Sequence, residues 1–266
     1  MAYEKLKVST DDKIMTIALS DPATMNAAGV EMAGELHAAL RRATAPGADV
    51  RAIVLTGEGR GFCSGANLQQ TGPSRAAEAG ERPDAGGSLA TVYNPLVTFM
   101  REMPIPLVTA INGPAAGVGC SLALLGDLIV AGESAYFLQA FRRIGLIPDG
   151  GSTYMLPRLI GKARAMEMAL LGERIPAAKA LEWGLINRVV PDAELMPTAL
   201  ALAGELARGP ASLGLTRQTI WSSFDSSWPE QLHREAVGQS AAGRTEDFAE
   251  GVAAFLQKRP AQFKGR

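Results

Sequence analysis

The 266-residue chain predicts an α/β fold, a spiral of strand–strand–helix units that ends in a helical region. Three observations predict it. Two β-branched apolar runs, residues 50–56 and 107–111, each lead straight into a glycine-rich turn and then towards a helix. Strand, strand, helix units recur without a constant sequence period, which disfavours a doubly wound sheet with regular alternation. The pattern from residue 196 onward is helical throughout, so a core over 1–195 and a C-terminal helical region over 196–266 are expected.

In chain order, residues 6–8 and 14–19 alternate around Asp11-Asp12 and read as a hairpin, which Asp21-Pro22 ends. A helix follows over about 30–43, with Met32, Leu36, Ala39 and Leu40 as its apolar stripe and His37 at the stripe's edge. The strand at 50–56 comes next. Residues 71–87 mix Pro, Gly, Ala and charge without apolar periodicity and read as a mobile loop or lid. Helical pattern resumes near Ser88 and runs to Met103, with Asn94-Pro95 forcing a kink or restart. The strand at 107–111 precedes a helix from Gly117 to about Gly126. Short strands at 127–131 and 135–137 lead to Pro148-Asp149-Gly150-Gly151, a turn by composition, after which Ser152 or Thr153 can cap a helix. Beyond Lys162 the pattern is helical apart from a strand at 185–190, with breaks at Pro191-Asp192, Gly209-Pro210 and Trp228-Pro229.

Composition narrows the function. With 47% hydrophobic and 20% charged residues the chain can bury a large core. A net charge of −1 gives no electrostatic case for nucleic acid or an anionic membrane as partner. The first residues lack an apolar signal core and no segment is apolar over a membrane's width, so the cytoplasm is the expected location. Cys63 and Cys120, the only cysteines, flank glycines and read as small buried residues. With only His37 and His233 beside them, no metal site is expected. No Gly-x-Ser-x-Gly elbow supports a serine hydrolase.

The two glycine-rich turns carry the chemistry. At a helix start several backbone N–H groups lack partners and the peptide dipoles add partial positive charge, which suits an anion or oxyanion. Residues 57–68 and 112–121 therefore offer two places where N–H groups can be aimed into a cavity. Neither is a nucleotide loop. No Gly-Lys-Ser/Thr is present, and Gly117-x-Gly119 lacks the third glycine of the dinucleotide fingerprint. Tight strand-to-helix packing is the alternative role for such glycines.

With these motifs in place, the chain resembles the crotonase, or enoyl-CoA hydratase/isomerase, superfamily. The resemblance rests on Met25-Asn26-Ala27, on residues 57–68 and 110–127, on Ile144-Gly-Leu-Ile-Pro-Asp-Gly-Gly151, on residues 180–186, and on the ending at 250–260. It implies a spiral of ββα turns and a helical C-terminal region that forms a homotrimer or a dimer of trimers. It also implies an acyl-CoA substrate, with coenzyme A entering as part of the thioester and no separate cofactor. The N–H groups of Ala66 and Val118 match the family's oxyanion hole. Ala27, Ser64, Ala66, Asn67, Leu68, Gly117 and Val118 match positions along the coenzyme A path. Lys258 or Arg259 would meet a phosphate or simply end a solvated helix.

The departures decide the reaction. Where typical hydratases carry two glutamates, this chain has Ser121 and Phe141, which cannot replace a pair of carboxylates in acid/base work. Asp149 remains. Its motif, with Tyr93-Asn-Pro-Leu-Val97 and the Phe-Leu-Gln-Lys-Arg ending, is similar to ring-1,2-epoxyphenylacetyl-CoA isomerases and some enoyl-CoA Δ-isomerases, which place an acid/base Asp there. One such group is sufficient for an isomerisation, because the proton taken from one carbon returns to another. An apolar wall from Phe141 and Ile147 is expected to raise its pKa. The alternatives are a hydratase using another carboxylate, Glu133 or Glu102, and a catalytically silent acyl-CoA-binding protein.

Overall fold

The opening hairpin sets the register of the main sheet. In the computed structural model, which describes residues 3–68 and 84–266, β1 (Leu6–Asp11) pairs antiparallel with β2 (Ile14–Leu19). Asp11 stands opposite Ile14, and the bend is made by Asp12 and Lys13, both at positive φ (43° and 64°), the backbone that follows the twist of paired strands. The turn thus falls one residue later than Asp11-Asp12.

Four strands add in parallel. They are β3 (Ala52–Gly57), β4 (Leu107–Ile111), β6 (Leu128–Gly132) and β9 (Arg188–Val190), giving the six-stranded order β1-β2-β3-β4-β6-β9. A sheet covered on both faces needs apolar residues at successive positions, which is why the β4 run has no polar alternation. One face of the sheet, with Ile53 and Leu55, receives Met32, Leu36 and Leu40 of α1 (Val30–Ala43), as the apolar stripe anticipates. His37 lies half-buried at that stripe's edge, its ring 5.2 Å from Phe99. The other face, with Val54, Val108 and Val130, receives α7 (Leu195–Arg208), whose Ala199, Ala203 and Ala207 let the helix axis lie close to the strands.

A smaller sheet makes the spiral. Its three strands are β5 (Pro114–Ala116), β7 (Tyr136–Leu138) and β8 (Ile175–Pro176), and Cys63 adds a single bridge to Ala115. β1 and β2 both lie in the main sheet, whereas the later pairs give one strand to each sheet before a helix. β4 and β5 lead to α4 (Val118–Leu124), and β6 and β7 lead to α5 (Ser152–Leu171). Sequence pattern does not reveal β5 and β8, which are too short to show a period. The strand expected over 185–190 is confined to β9, because Leu185 closes a turn through its N–H to the Ala180 carbonyl (2.9 Å) after α6 (Ala177–Glu182).

Of the loop expected at 71–87, residues 71–83 lie outside the described residues. Helix α2 (Ala85–Ser88) begins earlier than Ser88, capped by the Asp84 carboxylate, which accepts from Gly86 N–H (2.8 Å). A wide turn over Leu89–Tyr93 then joins it to α3 (Asn94–Glu102). Asn94 N–H reaches back to the Leu89 carbonyl, and this extra width accommodates Pro95, which has no N–H to give.

Beyond α7 the chain forms α8 (Ser212–Ser223), α9 (Trp228–Ala242) and α10 (Glu246–Gln257). The break expected at Trp228-Pro229 falls just before it, over 224–227, and Trp228-Pro229 opens α9, since Pro is tolerated in a first turn and Glu230 accepts the Ser227 N–H (2.8 Å). Buried Arg217 on α8 ties this region to the core. Its guanidinium donates to Asp127 (2.6 Å) and to the carbonyls of Met100 (2.6 Å) and Arg101 (2.7 Å) at the end of α3. No described helix is long and apolar enough to cross a membrane.

Candidate active site

The two glycine-rich turns lie against each other. A methyl placed on Gly117 would stand 3.7 Å from Gly65 Cα and 3.8 Å from Phe141 Cζ. Gly117 has φ 54° and ψ −128°, which an L side chain rarely adopts, and it serves as the N-cap of α4.

The peptide planes beside these glycines are fixed through their carbonyls. The Gly65 carbonyl accepts the Ala28 N–H (2.7 Å), and the Gly117 carbonyl accepts the N–H groups of Cys120 (3.0 Å) and Ser121 (3.3 Å). In a trans peptide the N–H points opposite to the C=O. The N–H groups of Ala66 and Val118, which share those planes, are therefore turned away from these partners, and neither has an acceptor among the described residues.

Asp149 stands beside the second turn. A methyl on Gly150 would lie 2.8 Å from Ser121 Cβ and 3.3 Å from Val118 Cγ2, so the Asp149-Gly150 bend is seated on the start of α4. Main chain and side chain of Asp149 have separate roles. Its carbonyl accepts the hydroxyls of Ser121 (2.8 Å) and Ser152 (2.8 Å) and the Ser152 N–H (3.1 Å), which makes the expected turn. Its Oδ1 is buried with no hydrogen-bond partner, and burial pushes the carboxyl up to about 6. Two details differ from the sequence reading. Ser152 does not cap α5, because its hydroxyl turns back to Asp149 and Gly151 takes the N-cap. Ile147 forms no wall, because it is 81% exposed while Phe141 is buried.

Tyr93 completes the cluster, and sequence reasoning used it only as part of a motif. Its buried hydroxyl donates to the Ala28 carbonyl (2.6 Å). Burial first, then the nearby Asp149 carboxyl and Cys63 thiol, push that hydroxyl up to about 12. Asn26 was likewise only a motif letter. Fully buried at φ 58°, it donates to the carbonyls of Glu58 (2.9 Å) and Gly61 (2.8 Å) and so joins the turn at Met25 to the first glycine-rich turn.

The remaining candidate residues flank the first turn. Ala27 is half-buried, Ser64 gives its hydroxyl to the Thr24 carbonyl (2.8 Å), Asn67 is half-buried, and Ala66 and Leu68 are exposed. Gly117 and Val118 are buried at the start of α4. Lys258 ends α10 in a left-handed cap, and the Arg259 guanidinium is held by Glu250 (2.6 and 2.9 Å), which it keeps at about 2.

The family model for enoyl-CoA hydratase/isomerase matches residues 9–266. The chain is 44% identical over 254 residues to the 1,2-epoxyphenylacetyl-CoA isomerase of Escherichia coli, covering 95% of each. It is 43% identical over 271 residues to a protein described as a probable enoyl-CoA hydratase of Rhodobacter capsulatus, covering 100% of each. Its fold matches the enoyl-CoA hydratase structure from Bacillus anthracis with a TM-score of 0.90 at 29% identity, over 99% of this chain and 100% of that one. The chain belongs to the enoyl-CoA hydratase/isomerase family and has its crotonase-like spiral.

Proposed function

We propose that this protein is an acyl-CoA isomerase that moves a proton through an enolate, with Asp149 as the acid/base and the N–H groups of Ala66 and Val118 holding the thioester oxygen. The single observation that carries the reading is the Asp149 carboxyl, which has a buried, unpartnered Oδ1 beside the start of α4. Ionised, Asp149 takes a proton from a carbon activated by the thioester. The charge that develops on the thioester oxygen meets two main-chain donors, each worth roughly 3 to 4 kcal/mol by analogy with other oxyanion holes. Protonated Asp149 returns the proton to another carbon, so no water is consumed and no second carboxylate is needed. Ala27, Ser64, Asn67 and Leu68 flank the proposed path of the pantetheine arm. The isomerase among the relatives supports this choice.

Replacing Asp149 by Asn is expected to abolish turnover while acyl-CoA binding stays nearly intact. A fully active variant overturns the assignment.

The second reading, a hydratase, is favoured by the similarity to the Rhodobacter capsulatus protein. It needs another carboxylate, and the two candidates are surface residues. Glu102 ends α3, and Glu133 is exposed with its N–H on the Val190 carbonyl of β9 (3.0 Å). Loss of the conjugated-enoyl absorbance of crotonyl-CoA reads out that activity. A silent acyl-CoA-binding protein would instead show no proton exchange from any bound thioester into solvent.

A homotrimer is part of the same proposal. Phe255 and Leu256 on α10 are 84% and 74% exposed, and they line a groove of about 400 Å³ with Phe248 and Val252.

A further inference from the structure

We propose that Tyr93 is a positioning residue for the thioester carbonyl, acting through Ala28 on the Gly65–Ala66 peptide. The inference deepens the isomerase reading and rests on it in one respect, that the Ala66 and Val118 N–H groups receive the thioester oxygen.

The two donor peptides are held by different means. That of Val118 is fixed by the first turn of its own helix, through the N–H groups of Cys120 and Ser121. That of Ala66 depends on one N–H from Ala28, which lies between the left-handed Asn26 and the start of α1. Ala28 is buried, and its own carbonyl receives the Tyr93 hydroxyl at 2.6 Å. The chain of contacts therefore runs from Tyr93 to Ala28 to the Gly65 carbonyl, and the far side of that peptide is the Ala66 N–H. The Cys63 thiol also reaches the Gly65 carbonyl (Sγ to O 3.9 Å) but is a weak donor. Tyr93 itself is anchored at the end of the wide turn that precedes Asn94-Pro95, and its hydroxyl remains protonated, and so a donor, at any working pH. A phenol placed only to fill the core would leave the donor peptide unchanged when its hydroxyl is removed.

The test uses phenylacetyl-CoA labelled with carbon-13 at the thioester carbonyl, and reads the carbonyl stretch of the bound ligand by infrared difference spectroscopy. Wild-type protein is expected to shift the band to lower frequency, and Asp149→Asn to keep that shift. Tyr93→Phe retains the ring and is expected to reduce the shift, with turnover lowered about ten- to a hundredfold and KM changed little. A 3-fluorotyrosine introduced in place of Tyr93 keeps the fold and strengthens the donor, and is expected to deepen the shift. Equal shifts in wild type and both Tyr93 variants overturn the tyrosine inference alone. No shift in wild type overturns the donor-pair reading and this inference with it.

Discussion

At Asp149 the main chain and the carboxyl want different surroundings. Three donors converge on its carbonyl and lock the bend, whereas Oδ1 is left in a dry position without a partner. The consequence is a carboxyl raised from 3.8 to about 6, and two measurements follow from its sign. As a base Asp149 must be ionised, so proton abstraction should rise through about pH 6 and level off above it, as read from the pH profile of α-proton exchange. For stability, a raised carboxyl pKa means that the folded state binds the proton more tightly than the unfolded one. Stability is therefore lost as pH climbs from about 4 to about 6. Asp149→Asn should be more stable than wild type near pH 7.5, on the order of 1 kcal/mol after allowance for partial exposure, and equal to it below pH ~4 by denaturant unfolding. The sequence made Asp149 visible through Pro-Asp-Gly-Gly but placed its shield wrongly. Ile147, two positions away, points to solvent, and the groups that do pack here, Val118 beside Gly150 and Tyr93 near the carboxyl, come from other elements.

The start of α4 is the element on which both proposed donors depend, because it presses directly on the first turn. A methyl at Gly119 would lie 2.5 Å from the Cys63 carbonyl oxygen and 2.8 Å from its Sγ, with main chain on one side and a buried thiol on the other. Gly119→Ala therefore forces α4 away from residues 63–65. The expected result is a stability loss of about 1–3 kcal/mol in denaturant unfolding and at least a hundredfold loss of turnover. A variant with normal activity would show that the spacing of the two turns is not critical. Elements of this length were unevenly legible. The α1 stripe and the β3 and β4 runs announce themselves because one packing environment extends over many residues. β5 and β8 do not, since two or three residues carry no period and their pairing is set by β7, which lies between them in the small sheet. The contact from Tyr93 to Ala28 spans 65 positions and leaves no local signal at all.

For the whole molecule, the recurrence of strand, strand and helix was sufficient to anticipate a spiral, because β4 with β5 and β6 with β7 each supply one strand to each sheet before a helix. Sequence order could not show which surfaces remain apolar after folding. One such group lies on the C-terminal helices, where Trp228 is 75% and Val237 56% exposed on α9, besides Phe255 and Leu256 on α10, and another, with Ile147 and Leu170, lies before and along α5. Scattered single apolar residues need no explanation, but several large ones along one pair of helices are what the proposed subunit contact would cover. Arg217 ties α8, which precedes these two helices, to the core, and in a ring of three such a surface would meet a different patch of the next subunit. If the proposed trimer forms through α10, replacing Phe255 and Leu256 together by Asp should convert it to a monomer in sedimentation equilibrium. Because the replaced side chains are largely outside the subunit's own core, the intrinsic unfolding of the separated chain should change by less than ~0.5 kcal/mol. A wild-type protein that sediments as a monomer at micromolar concentration would reject the trimer, and a variant that still assembles would move the contact away from α10.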